Sequence, residues 1–264
     1  MADEVLYDAT DGVARITLNR PERLNAFTLD GARRMRQCFE EASNDRSVGV
    51  IVLTGTGDRA FCTGGDVGDF SEFTIDVDRA MNAELLRLSH EMRNGGKPII
   101  ARVNGYCIGA GNELNMQCDL TIAAEHAQFG QTGPKMGSTP NWWVTQLLPR
   151  SVGEKRAREI VYLCNRYTAH EAEAMGWANK VVPGEQLDAA VDEWCRSLLE
   201  KSPTALRLAK MAINQGSDQL SGAVTQGMEL ITFFHDTPES REGMQAFVEK
   251  RKPDFRGDAR GLRS

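Results

Sequence analysis

The chain has 264 residues, 41% of them hydrophobic and 26% charged, with a formal charge of -6. That length fits one large domain, or a domain with an appended helical segment, around a core of good size. The acidic balance argues against nucleic acid as a general partner, because no face-wide basic excess is present to release counterions.

Two strands, Val5 to Asp8 and Val13 to Leu18, flank an Asp11-Gly12 turn. Asn19 to Arg23 reads as a loop. Thr28 then caps a helix from about Leu29 to Ser43, with Met35, Cys38 and Phe39 at core spacing. Val50 to Thr54 is a strand, Asp69 to Asp78 a polar and mobile stretch, and Val77 to Arg93 a helix. Pro98 to Val103 is the next strand, residues 111–118 a helix, and Leu120 to Ala124 a strand. Alternating strands and helices predict parallel pairing with helical crossovers. From Trp142 onward the pattern turns almost wholly helical, over roughly 142–149, 154–163, 168–175, 185–200, 203–216 and 220–236. The fold class is therefore α/β, a sheet-rich core followed by a helical part suited to oligomerisation.

Six cysteines (Cys38, Cys62, Cys107, Cys118, Cys164 and Cys195) show no CxxC spacing, and the N-terminus reads Met-Ala-Asp-Glu. Free thiols in a reducing cytoplasm are expected. No apolar run approaches the ~20 residues of a membrane span. The four histidines form no ligand motif, so no metal is expected. Lys250-Arg251-Lys252 and the stretch from Arg256 to Arg263 concentrate positive charge locally; the plain reading is a solvated tail.

Two glycine-bearing segments carry most of the functional information: Ala60-Phe61-Cys62-Thr63-Gly64-Gly65-Asp66 and Asn104-Gly105-Tyr106-Cys107-Ile108-Gly109-Ala110-Gly111-Asn112-Glu113. Each follows an apolar strand and opens toward a helix, which leaves backbone N–H groups pointing outward. Two such turns can offer one N–H each to a single carbonyl oxygen and stabilise charge developing there. No histidine lies near Cys62 or Cys107 in sequence, so thiolate nucleophiles are not expected.

With Asn25-Ala26, Ala127-Gln128-Phe129-Gly130 and Glu249-Lys250-Arg251, these segments make the chain resemble the crotonase (enoyl-CoA hydratase/isomerase) superfamily over most of its length. The resemblance implies a spiral of ββα units over residues 1–200. It also implies a helical region, residues 201–264, for trimerisation and closure over CoA, in a homotrimer or a homohexamer built as a dimer of trimers. The substrate it implies is an acyl-CoA thioester. The two oxyanion donors fall on the N–H groups of Gly65 and Ala110; the second position usually holds glycine, and alanine keeps the donor only where φ is not left-handed. Ala60, Cys62, Thr63 and Asp66 resemble the adenine-binding segment. Arg23, Phe247 and Lys250 resemble residues that meet CoA, and plain surface charge is the other reading of Arg23 and Lys250.

Hydratases of this family place two glutamates around a water. Glu113 matches the first, while Gly133 stands where the second belongs. Gly130-Gln131-Thr132-Gly133-Pro134-Lys135-Met136-Gly137-Ser138 is instead similar to the branch of 1,4-dihydroxy-2-naphthoyl-CoA synthase and 2-ketocyclohexanecarboxyl-CoA hydrolase. Pro140 replaces that branch's aspartate, and His235 aligns with its C-terminal tyrosine. Gln131, Asn141 and Trp142 are candidates to orient or enclose the acyl group. Glu113 also reads as a dipole-stabilised carboxylate at a helix N-terminus, and His235 as a helix C-terminal histidine. The expected reaction is hydrolytic C–C cleavage of a cyclic 3-oxoacyl-CoA, with enoyl-CoA hydration second and a catalytically silent scaffold or RNA-binding homologue as the non-enzymatic alternative. No cofactor is expected beyond the CoA of the substrate; bicarbonate near Gln131, as in some naphthoyl-CoA synthases, is a minor alternative.

Overall fold

The computed structural model describes residues 3–66 and 74–257. Strands β1 (Val5–Thr10) and β2 (Val13–Leu18) form an antiparallel hairpin. Its turn places Asp11 at φ 51° and Gly12 at φ 83°, the paired positive values that match the strands' twist. Helix α1 (Leu29–Asn44) starts where the Thr28 hydroxyl accepts the Gly31 N–H at 3.1 Å.

A repeating pattern follows, in which a long strand enters one sheet, a short strand enters a second, and a helix returns the chain. β3 (Val50–Gly55), β4 (Ala60–Cys62) and α2 (Ile75–Asn94) make one unit. The next is β5 (Ile99–Val103), β6 (Tyr106–Ile108) and α3 (Ala110–Gln117). β7 (Leu120–Ala124) and β8 (Gln128–Gly130) begin a third. α4 (Val144–Val152), α5 (Glu154–Leu163), β9 (Arg166–Thr168), α6 (Ala169–Ala174), β10 (Lys180–Val182) and α7 (Leu187–Leu199) continue the chain. The large sheet runs β1-β2-β3-β5-β7-β10 and the small one β4-β6-β8-β9.

The long strands are apolar on both faces because both faces are covered. In β3, Ile51 and Leu53 join the main core with Met35, Cys38 and Phe39 of α1. Val50 and Val52 point the other way and pack with Leu187, Ala190 and Val191 of α7. The C-terminal helices α8 (Pro203–Asp218), α9 (Ser221–His235) and α10 (Pro238–Val248) complete the fold. Lys210 ties α8 to the core through the Asp119 carboxylate at 2.7 Å and the Lys97 carbonyl at 2.9 Å.

The expected α/β class stands, and most long elements lie within a residue or two of their expected bounds. The three-residue strands β4, β6, β8, β9 and β10 and the helix α10 are additions, so the segment after Trp142 is less purely helical than expected. Of the stretch expected to be mobile, residues 69–73 lie outside the described residues, while 75–78 form the first turn of α2. Much of the basic C-terminal stretch, residues 258–264, also lies outside them. Among the described residues no helix is long and apolar enough to cross a membrane.

Candidate active site

Strands β4 and β6 pair in parallel, with Ala60 opposite Tyr106 and Cys62 opposite Cys107. Parallel register puts their C-terminal ends side by side, so the two glycine turns emerge together at one end of the small sheet. A methyl on Gly64, whose φ is 103°, would lie 3.1 Å from the Ala110 nitrogen. The first turn is pinned to the loop after Leu24: the Gly64 carbonyl accepts the Phe27 N–H at 3.0 Å, and the Asp66 N–H donates to the Phe27 carbonyl at 2.9 Å. These two bonds bracket Gly65. Among the described residues neither the Gly65 nor the Ala110 N–H has an acceptor. A methyl on Gly65 would meet nothing within 4 Å, so this turn borders open space.

Ala110 is tolerated because the left-handed φ falls on its neighbour. Gly109 takes φ 59° as the cap of α3, and Ala110 is the first helical residue, at ordinary negative φ. Gly111 is needed for a different reason. A methyl there would lie 2.0 Å from the Cys62 carbonyl oxygen, so the two turns pack backbone to backbone.

Glu113 sits in the first turn of α3 and is 7% exposed. Its Oε1 accepts the Asn141 N–H at 3.2 Å. Burial raises its pKa from 4.5 to about 8; the Asn141 N–H and the nearby Gln131 amide pull the other way and lose. At pH 7 this carboxyl is therefore mostly protonated and can donate. Gln131 follows β8, which pairs in parallel with β6, so it belongs to the same end of the small sheet. Gln131 Nε2 and Asn141 Nδ2 are buried donors with no hydrogen-bond partner of ordinary geometry among the described residues. The Gln131 amide nevertheless lies close enough to Glu113 to favour its charged form.

The Gly133 position is closed to any side chain. A methyl there would lie 2.9 Å from the Thr139 Cα and carbonyl carbon and 3.0 Å from the Pro140 nitrogen. The chain itself fills the volume where a second glutamate would start. Gly133 thus shapes the loop from 133 to 141.

His235 ends α9 and reaches back to this loop, with Nε2 3.0 Å from the Ser138 Oγ and Nδ1 3.2 Å from the Asp78 Oδ2. Ser138 closes the Gly130–Ser138 motif, but nothing in the sequence pairs it with His235, and Asp78, 157 positions from His235, carries no sequence signal. Trp142 is 1% exposed, with its indole N–H bonded to the Leu85 carbonyl and the Ser89 hydroxyl of α2. Its φ of 41° is unusual for a bulky residue and turns the chain between Asn141 and α4. Trp143 is also buried, with the Arg93 guanidinium 4.0 Å above its ring.

Of the expected CoA-binding residues, Arg23, Thr63 and Asp66 lie close together: the Thr63 hydroxyl donates to the Leu24 carbonyl at 3.3 Å. The Ala60 carbonyl accepts both the Asn25 Nδ2 at 2.7 Å and the Asn104 Nδ2 at 3.1 Å. Ala60 and Cys62 are buried, so they support the loop from inside; only Thr63 and Asp66 of that group are partly open. Asp66 pairs with Arg20 at 2.7 Å, a partner the sequence did not suggest, and lies 4.0 Å from Arg23. Arg23 is 56% exposed in its side chain. Phe247 and Lys250 are exposed at the end of α10. Burial pushes the Cys62 thiol up to about 12 and raises Cys107 as well, which keeps both neutral.

Two sheets joined by repeated strand–strand–helix units, with adjacent amide-bearing turns beside a buried carboxyl, define an α/β spiral of the crotonase type. A family model for enoyl-CoA hydratase/isomerase matches residues 8–258, and the chain belongs to that family. An enoyl-CoA hydratase from Mycobacterium avium subsp. paratuberculosis K-10 superposes with a TM-score of 0.86 at 28% identity, over 96% of this chain and 98% of that one. An enoyl-CoA hydratase from Bacillus anthracis is 32% identical over 97% of this chain and 100% of its own, with a TM-score of 0.78. An enoyl-CoA hydratase/isomerase from Xanthobacter autotrophicus Py2 gives 0.85 at 29% identity, over 98% and 99%.

Proposed function

We propose that the Gly65 and Ala110 N–H groups grip the thioester oxygen of an acyl-CoA, so that charge gathers there as an enolate forms. Glu113, protonated at neutral pH, delivers a proton to the α-carbon. The substrate is a cyclic 3-oxoacyl-CoA, and water cleaves its ring C–C bond. Water oxygen bonds to the ketone carbon, the C–C electron pair passes to the enolate, and the α-carbon is then protonated. One observation carries this reading over the two-glutamate hydratase mechanism: backbone atoms of Thr139 and Pro140 fill the space beside Gly133. A lone buried acid suits protonation of an enolate better than the paired carboxylates that hydration ordinarily uses.

Hydration of a 2-enoyl-CoA is the second reading, favoured by the retained Glu113 and by the relatives bearing that name. Assembly through α8 to α10 accompanies either reading. Leu208, Ile213, Leu230 and Phe233 expose 60%, 77%, 61% and 51% of their surface, an apolar set suited to burial against further copies. The test incubates the protein with 2-ketocyclohexanecarboxyl-CoA and with crotonyl-CoA, following thioester absorbance and product mass. The first should gain the mass of water with ring opening, and Glu113→Gln should abolish it. A protein that turns over only crotonyl-CoA reverses the order of the two readings. One that shows no thermal shift with acetyl-CoA and no turnover points to a scaffold.

A further inference from the structure

The geometry points to a second proton-transfer group beside Glu113: a relay in which Asp78 orients His235 and His235 draws the proton of the Ser138 hydroxyl. The inference rests on the acyl-CoA reading and supplies the base which that reading lacks. Taking a proton from water and giving one to carbon requires two groups in opposite protonation states. Glu113 is the acid, and no second carboxylate fits at Gly133.

Three elements converge to build the relay. Asp78 lies in the first turn of α2 and is 7% exposed. His235 closes α9, and Ser138 lies in the loop between β8 and α4. The contacts are 3.2 Å from Asp78 Oδ2 to His235 Nδ1 and 3.0 Å from His235 Nε2 to Ser138 Oγ. In the relay the Asp78 carboxylate accepts, so Nδ1 carries the imidazole proton. In the neutral ring Nε2 is then the acceptor, and the hydrogen bond from Ser138 must run from its hydroxyl to the ring. The serine oxygen keeps its lone pairs for a third partner.

The relay is fixed to the acyl site by the same loop. Ser138 donates its N–H to the Gly133 carbonyl at 2.9 Å, and Asn141, three residues on, donates to Glu113 at 3.2 Å. Three residues span at most about 11 Å between Cα atoms. Along the facing helix, a methyl on Gly227 would lie 2.8 Å from the Asn141 Oδ1, and His235 sits about two turns further on, over Ser138. Helices α2 and α9 are locked beside the relay, since Asn82 Nδ2 donates to the Met228 carbonyl at 3.1 Å and to the Thr232 hydroxyl at 2.9 Å. The relay is thus set by packed helices as well as by a loop.

In the step, water gives a proton to Ser138 Oγ as the serine proton passes to Nε2. The water oxygen bonds to the ring ketone carbon, and the imidazolium is stabilised by Asp78. Glu113 gives its proton to the α-carbon, so one proton leaves water and one reaches carbon. Exchange with solvent moves the extra proton from His235 and restores Glu113.

The test has two arms. 15N-histidine-labelled protein, with the signal assigned by its loss in His235→Gln, should show the Nδ1–H tautomer at His235, and Asp78→Asn should abolish that preference. With 2-ketocyclohexanecarboxyl-CoA or crotonyl-CoA, whichever is turned over, Ser138→Ala and His235→Gln should each lower kcat by about 10²-fold or more. Acetyl-CoA affinity and melting temperature should stay near wild type, and Asp78→Asn should fall between. An Nε2–H tautomer in the wild type overturns the relay, as does a Ser138→Ala enzyme with wild-type kcat while Glu113→Gln is inactive; the acyl-CoA reading survives both. A wild-type protein that binds no acyl-CoA overturns that reading, and with it the catalytic role of the relay.

Discussion

Replacing Glu113 by glutamine separates desolvation from catalysis, because the amide keeps the shape and an acceptor for the Asn141 N–H but cannot ionise. In the folded chain the carboxyl titrates near 8 instead of 4.5, chiefly through burial. Between those values the folded state holds one proton more than the unfolded state. Unfolding free energy must therefore fall as pH rises through this window, at about 1.4 kcal/mol per pH unit. The contribution is fully present below 4.5 and lost above about 8, with a ceiling of about 5 kcal/mol for the whole window. Gln131 and Asn141, the groups that contact the carboxyl, are neutral and add no titration of their own. Urea unfolding at fixed protomer concentration, from pH 5 to pH 9, measures the difference directly. Wild type should lose about 4 kcal/mol relative to Glu113→Gln across that range. Parallel curves for the two proteins would refute the buried-acid argument. The same titration bears on the chemistry: an essential acid makes kcat fall above about pH 8, whereas an essential base makes it rise toward that pH.

Gly64→Ala should lower kcat/KM by about 10²-fold or more, because the new methyl lies 3.1 Å from the Ala110 nitrogen at a backbone φ of 103°. Steady-state turnover beside CoA affinity separates loss of the amide pair from loss of binding. Gly133→Glu should not create a two-carboxylate hydratase; it should destabilise by about 1–3 kcal/mol as the chain yields around Thr139. Urea unfolding together with crotonyl-CoA hydration decides this, and a stable, faster hydratase would contradict it. Lys210→Met should cost about 3 kcal/mol, since it strips the buried ammonium from Asp119 and releases the tie between α8 and the core. Denaturant unfolding at constant concentration reads that loss.

The long elements were legible in the sequence because their signals are local. Thr28 ahead of an apolar 3.6-residue pattern marks α1, and continuous Val-Ile-Val-Leu marks a strand buried on both faces. The small sheet was not legible, since a three-residue strand such as Ala60–Cys62 or Gln128–Gly130 shows no periodicity and exists only through its neighbours. Helix α10 escapes the sequence for another reason: a proline soon after a helix end commonly marks a stop, whereas Pro238 is a helix-starting proline behind the Thr237 cap.

The site divides along the same line. Gly64, Gly65, Gly109 and Glu113 announced themselves because main-chain amides at strand-to-helix turns need particular residue types in a short span. Asp78 could not, and the pairing of Ser138 with His235 could not either, because a carboxylate on one helix and a hydroxyl in a loop meet only when α2 and α9 pack. His235 stands between the two cases. Placed just before Asp236-Thr237-Pro238, it reads equally well as a helix C-terminal residue, and its contacts with Ser138 and Asp78 give it a chemical direction. A carboxylate that fixes the tautomer makes the distal nitrogen an acceptor, and that in turn makes the serine oxygen the electron-rich end of the chain. The missing partner of Glu113 is therefore best sought through space, across α2 and α9, where packing brings Asp78 and Ser138 to His235.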